Sequence, residues 1–116
     1  MPDPAVPTPY LTIEIDCTDN QAIVHLHGYL VSGLTDVLSA RVRPLIPDIK
    51  RIVLDLSDLK RMDSMGLGTV VWLYTSARAA GCDLLLLNIG KRIRELLGLT
   101  NLLDVFTIIG EHGVRL

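Results

Sequence analysis

The sequence predicts a single α/β domain built on a mixed central β-sheet of about five strands. The chain has 116 residues, of which 49% are hydrophobic and 21% charged. A chain of this length suits one hydrophobic core, because two cores would each be marginally stable. Two strand patterns joined by a short turn predict an antiparallel hairpin at the start. The strand–helix–strand pattern that follows predicts right-handed parallel crossovers.

The start of the chain differs in composition from the rest. Residues Met1–Tyr10 hold four of the six prolines, and proline denies the backbone regular hydrogen bonds. We therefore predict a flexible Pro-rich arm over residues 1–10 and the folded domain over residues 11–116. No apolar run approaches the roughly 18 residues of a membrane helix, and no signal-sequence pattern is present. We expect a cytoplasmic protein without direct membrane insertion.

The composition argues against nucleic-acid and metal binding. The formal net charge is −2, and the 11 lysine and arginine residues form no basic block, so any effect on transcription would pass through another protein. Two cysteines and three scattered histidines make no credible metal cluster. Cys17 and Cys82 each lie in an apolar strand pattern. We interpret them as buried small hydrophobes, with a redox switch as the alternative.

The first two strands form the predicted hairpin. Apolar and polar residues alternate strictly over Leu11–Thr18, which predicts a strand with one solvent-exposed face. Residues 19–20 make a turn, and Gln21–Leu30 is the second strand, paired antiparallel with the first. His25 and His27 share one face of that strand. They could form half a metal site, but no nearby residue completes it, so we interpret them as solvated or partner-facing.

The next elements are a helix and a buried strand. Ser32 is the candidate N-cap of the helix, which Pro44 and Pro47 end, and Arg43 is assigned to its solvent side. The apolar positions of this helix follow helical spacing: Leu34, Val37, Leu38, Val42 and Leu45. The short, continuous apolar run Ile52–Leu56 then suits a strand covered on both faces.

The segment from Asp55 to Gly68 is predicted to be a loop between that strand and a second helix, with Asp63 or Ser64 as the N-cap. Gly66 and Gly68 fall in the first helical turn, where each costs about 1 kcal/mol relative to alanine. In one interpretation, the glycines leave the Ser64 hydroxyl open to the active site of another macromolecule. In the other, Ser64 only caps the helix and the glycines only relieve packing against the strand.

The second helix, from Ser64 to about Ala80, carries two stripes of residues. Its predicted core face consists of Leu67, Val70, Val71, Tyr74 and Ala77. A second stripe on roughly the opposite side consists of Met65, Thr69, Trp72 and Ser76. If Trp72, the only tryptophan, is exposed, it resembles the anchor of a protein interface. The alternative is that Trp72 packs against the neighbouring helix.

The C-terminal part repeats the alternation of strand and helix. Gly81 ends the second helix, and Cys82–Leu87 is a buried strand. Lys91–Leu97 has the spacing of an amphipathic helix. A short turn over Asn101–Asp104 leads to a final strand over Val105–Ile109.

Self-contained catalysis is not expected. Residues 62–66 resemble the G-x-S-x-G nucleophile elbow only in part, because Met62 replaces its first glycine. The Gly66-Leu67-Gly68 run is too short for a dinucleotide or P-loop fingerprint. We therefore predict that the protein is not an enzyme and has no cofactor.

A family resemblance adds to this interpretation. Val53–Ser57 followed by Met62–Gly68 resembles the signature of the STAS domain, specifically that of the bacterial anti-sigma factor antagonists. The similarity extends over roughly residues 11–110. It implies a mixed sheet of about five strands with about four helices packed mainly on one side.

The resemblance also implies a function. In that family the serine directly after the aspartate is phosphorylated by a partner kinase that is itself the anti-sigma factor, and Ser64 is the matching position. The unphosphorylated protein would bind the anti-sigma factor serine kinase and free a sigma factor. Phosphorylation would end this binding, and a serine phosphatase would reset it. ATP and magnesium would belong to the kinase.

The sequence departs from the family pattern at three positions. The second strand of the family usually ends in Gly-Glu-Leu-Asp, whereas here Tyr29 and Val31 replace the acidic residues, and Met65 replaces a second hydroxyl residue. Ser64 is the predicted phosphoacceptor. The predicted motif and partner-binding positions are Asp63, Met65, Gly66, Leu67, Gly68, Thr69, Trp72, Tyr29 and Val31.

Two further functions remain open. STAS domains also act as fixed scaffold subunits of signalling assemblies or of a lipid-transporter complex, in which the serine need not be modified. A nucleotide-binding domain is the third possibility, and it would show direct affinity for GTP or ATP.

Overall fold

The computed structural model describes residues 8–100 and the backbone of residues 107–109. The strands and helices follow one another as β1 Leu11–Cys17, β2 Gln21–Leu30, α1 Thr35–Val42, β3 Arg51–Met62, α2 Ser64–Ala79, β4 Asp83–Leu87, α3 Lys91–Leu99 and β5 Thr107–Ile109. A 3-10 turn over Arg43–Leu45 follows α1. The arm residues 1–7 and the predicted turn over Asn101–Asp104 lie outside the described residues.

The five strands form one mixed sheet in the order β1-β2-β3-β4-β5. The β1–β2 pair is antiparallel, and every later pair is parallel. The predicted hairpin and parallel crossovers are thus confirmed. Because each parallel strand is followed by a helix before the next strand begins, the sheet is assembled from neighbouring β-α-β units.

The helices pack on one face of the sheet. Alternate residues of β2, β3 and β4 share one hydrophobic cluster with the buried residues of the helices. On the strands these are Val24, Leu26, Leu30, Ile52, Leu54, Leu56, Leu84 and Leu86; on the helices they are Leu38, Val42, Leu67, Val70, Leu73, Ala77, Ile93 and Leu97. Removing this apolar surface from water is the main force that holds the layers together. The other face of β1 and β2 carries mostly polar side chains.

Strand β3 is longer than the sequence predicts. It runs through Met62, so most of the segment predicted as a loop is strand, and only Asp63 separates β3 from α2. The parallel pairing with β2 continues to Leu30↔Met62 through two register shifts. The prediction failed because residues 57–61 are mostly polar and mostly exposed, so this part of the strand lacks the apolar pattern on which the prediction relied.

Helix α1 begins differently from the prediction. Its N-cap is Leu34, without a side-chain hydrogen bond, so Ser32 is not the cap. Val37 is exposed rather than buried, whereas Leu38 and Val42 lie in the core. In α2, the core face includes Leu73, and the predicted positions Val71 and Tyr74 are only partly buried.

The two cysteines have different environments. Cys82 is buried, as predicted, and burial raises the pKa of its thiol above the ordinary value. Cys17 is exposed at the end of β1, so its interpretation as a buried residue was wrong. Cys17 is the last residue of β1, and the alternation of burial along this strand no longer holds there.

Candidate functional site

The site is organised by Asp63, which connects the end of β2 to the start of α2. Its backbone is extended, with φ −100° and ψ −175°, as expected for a helix N-cap. Oδ1 of Asp63 accepts a hydrogen bond from the Gly66 backbone N–H at 2.9 Å. Oδ2 accepts one from the Ser32 N–H, also at 2.9 Å. Asp63 rather than Ser64 is therefore the cap, and one carboxylate fixes two segments.

These hydrogen bonds also set the charge of Asp63. Its pKa lies below the ordinary value of 3.8, first because the Ser32 N–H donates to the carboxylate and then because the Gly66 N–H does. Both donors favour the ionised form and outweigh partial burial. The start of α2 therefore carries a fixed negative charge at neutral pH.

The two glycines of the first turn have different roles. A Cβ atom at Gly66 would collide with the backbone carbonyl oxygen of Leu30, so glycine is required for helix α2 to approach β2 this closely. A Cβ atom at Gly68 would meet no other atom within 4 Å. Gly66 thus relieves packing of the helix against the sheet, and the surface beside Gly68 is open.

Ser64 is exposed at the first position of α2 and lines a surface groove of about 360 Å³. The groove lies between α1 and α2 and is lined by Ser39, Arg43, Ser64, Met65, Gly68, Thr69 and Trp72. Met65 is 58% exposed and Trp72 is 47% exposed. The fold therefore brings the predicted phosphoacceptor together with four predicted partner-binding residues.

Arg43 belongs to this groove, although the sequence pattern assigned it only to the solvent side of the first helix. The central carbon of its guanidinium lies 5.2 Å from the centre of the Trp72 ring, a cation–π contact. Trp72 is thus both half exposed and packed against the end of the neighbouring helix, which combines the two predicted alternatives. The sequence gives no signal for this pairing, because the two residues lie 29 positions apart in elements whose relative placement depends on the core.

Tyr29 and Val31 line a separate hollow together with Pro9, Ser32, Arg61 and Asp63. The Tyr29 ring makes an edge contact with the Tyr10 ring, with centroids 5.7 Å apart. The Tyr29 N–H also donates to the Tyr10 carbonyl oxygen at 2.7 Å. Tyr10, the last residue of the predicted arm, is therefore held against β2. Tyr29 and Val31, which replace the acidic residues of the family pattern, therefore share a hollow with Asp63 and do not line the groove.

Comparison with known proteins identifies the family. The family model described as "STAS domain" matches residues 12–113, which is most of the chain. The chain belongs to the STAS domain family. The fold described above is therefore that of a STAS domain.

The relatives of this STAS domain include a named regulator. The chain is 27% identical over 107 residues to the "Anti-sigma-B factor antagonist" of Bacillus subtilis (strain 168), and the match covers 90% of this chain and 98% of the relative. The fold of this chain is similar to that of the Bacillus anti-sigma factor antagonist SpoIIAA in the unphosphorylated form, with TM-score 0.74 and 19% identity. The match covers 86% of this chain and 88% of that one. The phosphorylated form of SpoIIAA gives TM-score 0.71 and 19% identity, covering 86% and 91%.

The motif residues of this STAS domain divide into two groups. Gly66 and Leu67 are buried and hold α2 against the sheet. Ser64, Met65, Gly68, Thr69 and Trp72 face the groove, where a partner can reach them. Within residues 8–100, no group of three histidine, cysteine or acidic side chains is arranged to hold a metal ion. None of the helices described is long and apolar enough to cross a membrane.

Proposed function

We propose that this STAS domain is an anti-sigma factor antagonist that works by partner switching. Its unphosphorylated form binds an anti-sigma factor serine kinase and frees a sigma factor, and phosphorylation of Ser64 disrupts that complex. The observation that carries the proposal is the exposed Ser64 hydroxyl in a groove that also holds the exposed side chains of Met65 and Trp72. The antagonist relatives of similar length support it.

The position of Ser64 suits a residue that must enter a kinase active site. It is exposed, it occupies the first turn of α2, and the surface beside Gly68 is open. A kinase must bring its catalytic groups within hydrogen-bond distance of the hydroxyl, which a buried serine would not permit. The same groove offers apolar area to a docked partner, and a half-exposed tryptophan is a common energetic anchor of such interfaces.

Phosphorylation would change the charge of the groove more than the shape of the domain. A phosphate adds about −1.5 to −2 units of charge next to the ionised Asp63. The start of α2 offsets this by up to about 1 kcal/mol, because helix N-termini favour anions. The hydrogen bonds of Asp63 come from backbone N–H groups, so they remain in place. Burying a dianion against a partner costs several kcal/mol, which is enough to release it.

In this proposal the protein is a substrate of the kinase and not itself an enzyme. ATP and magnesium are bound by the kinase, and a serine phosphatase restores the unmodified form. The domain contributes a rigid acceptor turn and a docking surface. We propose that it acts in the cytoplasm, where the kinase and sigma factor would be found.

The direct test is labelling with the cognate kinase and ATP. The wild-type protein is expected to take up one phosphate, and the Ser64→Ala variant none. Ser39→Ala is the matched control, because Ser39 lines the same groove but lies on α1. If the Ser64→Ala variant took up as much phosphate as the wild type, Ser64 would not be the phosphoacceptor.

A pull-down separates the proposal from the scaffold alternative. Capture of a protein with a kinase fold by the wild type, and its loss after phosphorylation, supports partner switching. Capture of a transporter ATPase, with no phosphate incorporation, supports the scaffold function. Direct nucleotide binding would instead use the hollow between β3 and α3, which is lined by Lys60, Arg61, Lys91 and Arg92 among others. Titration of the isolated protein with ATP and GTP tests that possibility.

A further inference from the structure

The face of the sheet opposite the helices carries two histidines, each held between two carboxylates. His25 Nδ1 lies 2.8 Å from Asp55 Oδ2, and His25 Nε2 lies 3.1 Å from Asp16 Oδ2; we call this histidine with its two carboxylates the first rung. Both ring nitrogens face carboxylate oxygens, which accept hydrogen bonds when ionised. The ring therefore satisfies both contacts only when it is protonated at both nitrogens.

The second rung has the same arrangement. His27 Nδ1 lies 2.7 Å from Asp58 Oδ2, and His27 Nε2 lies 2.7 Å from Glu14 Oε1. We call these six residues the histidine ladder: Glu14 and Asp16 on β1, His25 and His27 on β2, and Asp55 and Asp58 on β3. Each rung connects three adjacent strands, so the ladder ties the hairpin to the parallel part of the sheet.

The second rung depends on a bulge in β3. His25 pairs with Asp55 and His27 pairs with Asp58, so two steps along β2 correspond to three along β3. Side chains alternate between faces, and in a regular strand Asp55 and Asp58 would point to opposite sides. The extra residue returns Asp58 to the open face. Asp55 Oδ1 stabilises the bulge by accepting a hydrogen bond from the Ser57 N–H at 3.0 Å.

The ladder lies directly before the candidate functional site along two strands. Four residues separate Asp58 from Asp63 on the chain. On β2, Leu30 follows His27 by three positions, and its carbonyl oxygen accepts a hydrogen bond from the Asp63 N–H at 3.3 Å. Residues 56–62 of β3, which we call the bulged segment, are therefore fixed at one end by the ladder and at the other by Asp63.

We propose that the histidine ladder is a pH-sensitive strap, which holds β1 and β3 against β2 while both imidazoles are protonated and loosens the bulged segment of β3 when they lose their protons. The four carboxylates of the ladder are the titratable side chains that contact either ring in the described part of the chain. Its action does not require phosphorylation of Ser64, so this inference stands apart from the proposed function.

The direction of the pH effect follows from the contacts. The pKa of His25 is raised above 6.5, mainly by the hydrogen bond to Asp55 and, after an opposing effect of burial, by Asp16. The pKa of His27 is raised by Asp58 and then by Glu14. A raised histidine pKa stabilises the folded state fully below about pH 6.5, and this stabilisation is lost as pH rises through the folded-state value. The strap therefore weakens towards alkaline pH.

The first rung is expected to contribute more than the second. The Asp55 side chain is only 14% exposed, whereas Asp16, Glu14 and Asp58 are 79%, 74% and 60% exposed. Solvent screens the exposed partners, so their ion pairs contribute little. The His25–Asp55 contact is thus the centre of the strap.

The first experiment measures the histidine titrations by NMR in the folded wild-type protein. Both His25 and His27 are expected to titrate above pH 6.5. His112, which remains in every variant, supplies a third signal for comparison. Titration of both ladder histidines at or below 6.5 would overturn the proposal, even if no variant could be purified.

The second experiment compares stability at about pH 6 and pH 8.5 for the wild type and the His25→Gln/His27→Gln variant. The unfolding constant of the wild type is expected to rise between these pH values. The corresponding rise in the double variant is expected to be smaller by a factor of at least about two. Hydrogen-exchange protection of residues 56–62, relative to β4, should fall with pH only in the wild type. Identical pH dependence in the two proteins contradicts the strap. The single His25→Gln variant should remove most of the difference.

Discussion

At the scale of single residues, Asp63 shows how one side chain can organise a site. Its two carboxylate oxygens accept from different segments, so the carboxylate caps α2 and also holds the chain that leaves β2. The N-cap was predictable, because an Asp-Ser pair before a helical pattern is a local signal. The bond to Ser32 was not, since it depends on where the sheet places residues 31 positions apart.

Removal of the Asp63 carboxylate should destabilise the domain without unfolding it. We expect Asp63→Ala to lower the free energy of unfolding by about 1–2 kcal/mol, because the helix loses its cap and Ser32 loses its acceptor. Asp63→Asn keeps one acceptor oxygen and should cost less. Urea denaturation of the three proteins measures both differences. Equal stability of the alanine variant and the wild type would show that the two hydrogen bonds are not important in solution.

The two glycines provide a matched pair at the same helical turn. Gly66→Ala is expected to destabilise by about 1–3 kcal/mol, because the methyl group meets the Leu30 carbonyl oxygen and forces the backbones apart. Gly68→Ala points into open space and should stabilise by up to about 1 kcal/mol, because alanine is the better helix former. Thermal unfolding of both variants checks the prediction. Effects of the same sign would contradict it.

At the scale of elements, the sequence predicted the strands and helices well where burial alternates or repeats. The bounds of β1, β2 and α2 agree with the predicted segments to within one residue. The extension of β3 was missed because a bulge and a polar open face replace the burial pattern there. The groove was only half predicted, since the α2 stripe is local but its Arg43 neighbour comes from the end of α1.

The α2 stripe should matter for binding more than for stability. Trp72→Ala is expected to weaken binding of the proposed kinase partner at least about tenfold, as the loss of an interface anchor does. The cost in stability should be smaller than for a buried tryptophan, because almost half of the side chain is already exposed. Thr75→Ala is the control on the solvent side of the same helix, and isothermal titration measures both. Unchanged affinity of the Trp72→Ala variant would remove the groove as the docking surface.

At the scale of the whole molecule, the open face of the sheet and the helix-covered face have different physical roles. The helix-covered face buries the apolar side chains of the core cluster, and the opposite face carries the histidines and carboxylates of the ladder. The single domain and its mixed sheet could be predicted from length and alternation. The sequence places both histidines on one face of β2, but it does not predict the ladder, because their partners come from two other strands and Asp58 requires the bulge.

The stability of the whole domain should fall on the acid side as well. Burial raises the pKa of Asp55, but the hydrogen bonds from Ser57 and His25 together outweigh it, so the pKa lies below the ordinary value; the pKa of Asp63 is also lowered. Lowered carboxyl values stabilise the fold above about pH 4, and this contribution is lost as pH falls through the folded-state values. Thermal unfolding between about pH 2 and 6 should show the loss, and Asp63→Asn should reduce its slope. A slope that does not change in this variant would contradict the assignment.

The one-residue connection between β3 and α2 has a consequence for kinetics. A long loop before Ser64 could absorb a new phosphate by refolding, and release of the partner would then wait for that motion. Only Asp63 connects β3 to α2, so no loop is present at this junction that could rearrange. Under the proposed partner switching, we therefore expect dissociation to follow phosphorylation in a single phase, so that the speed of the response is limited by the enzymes that add and remove the phosphate.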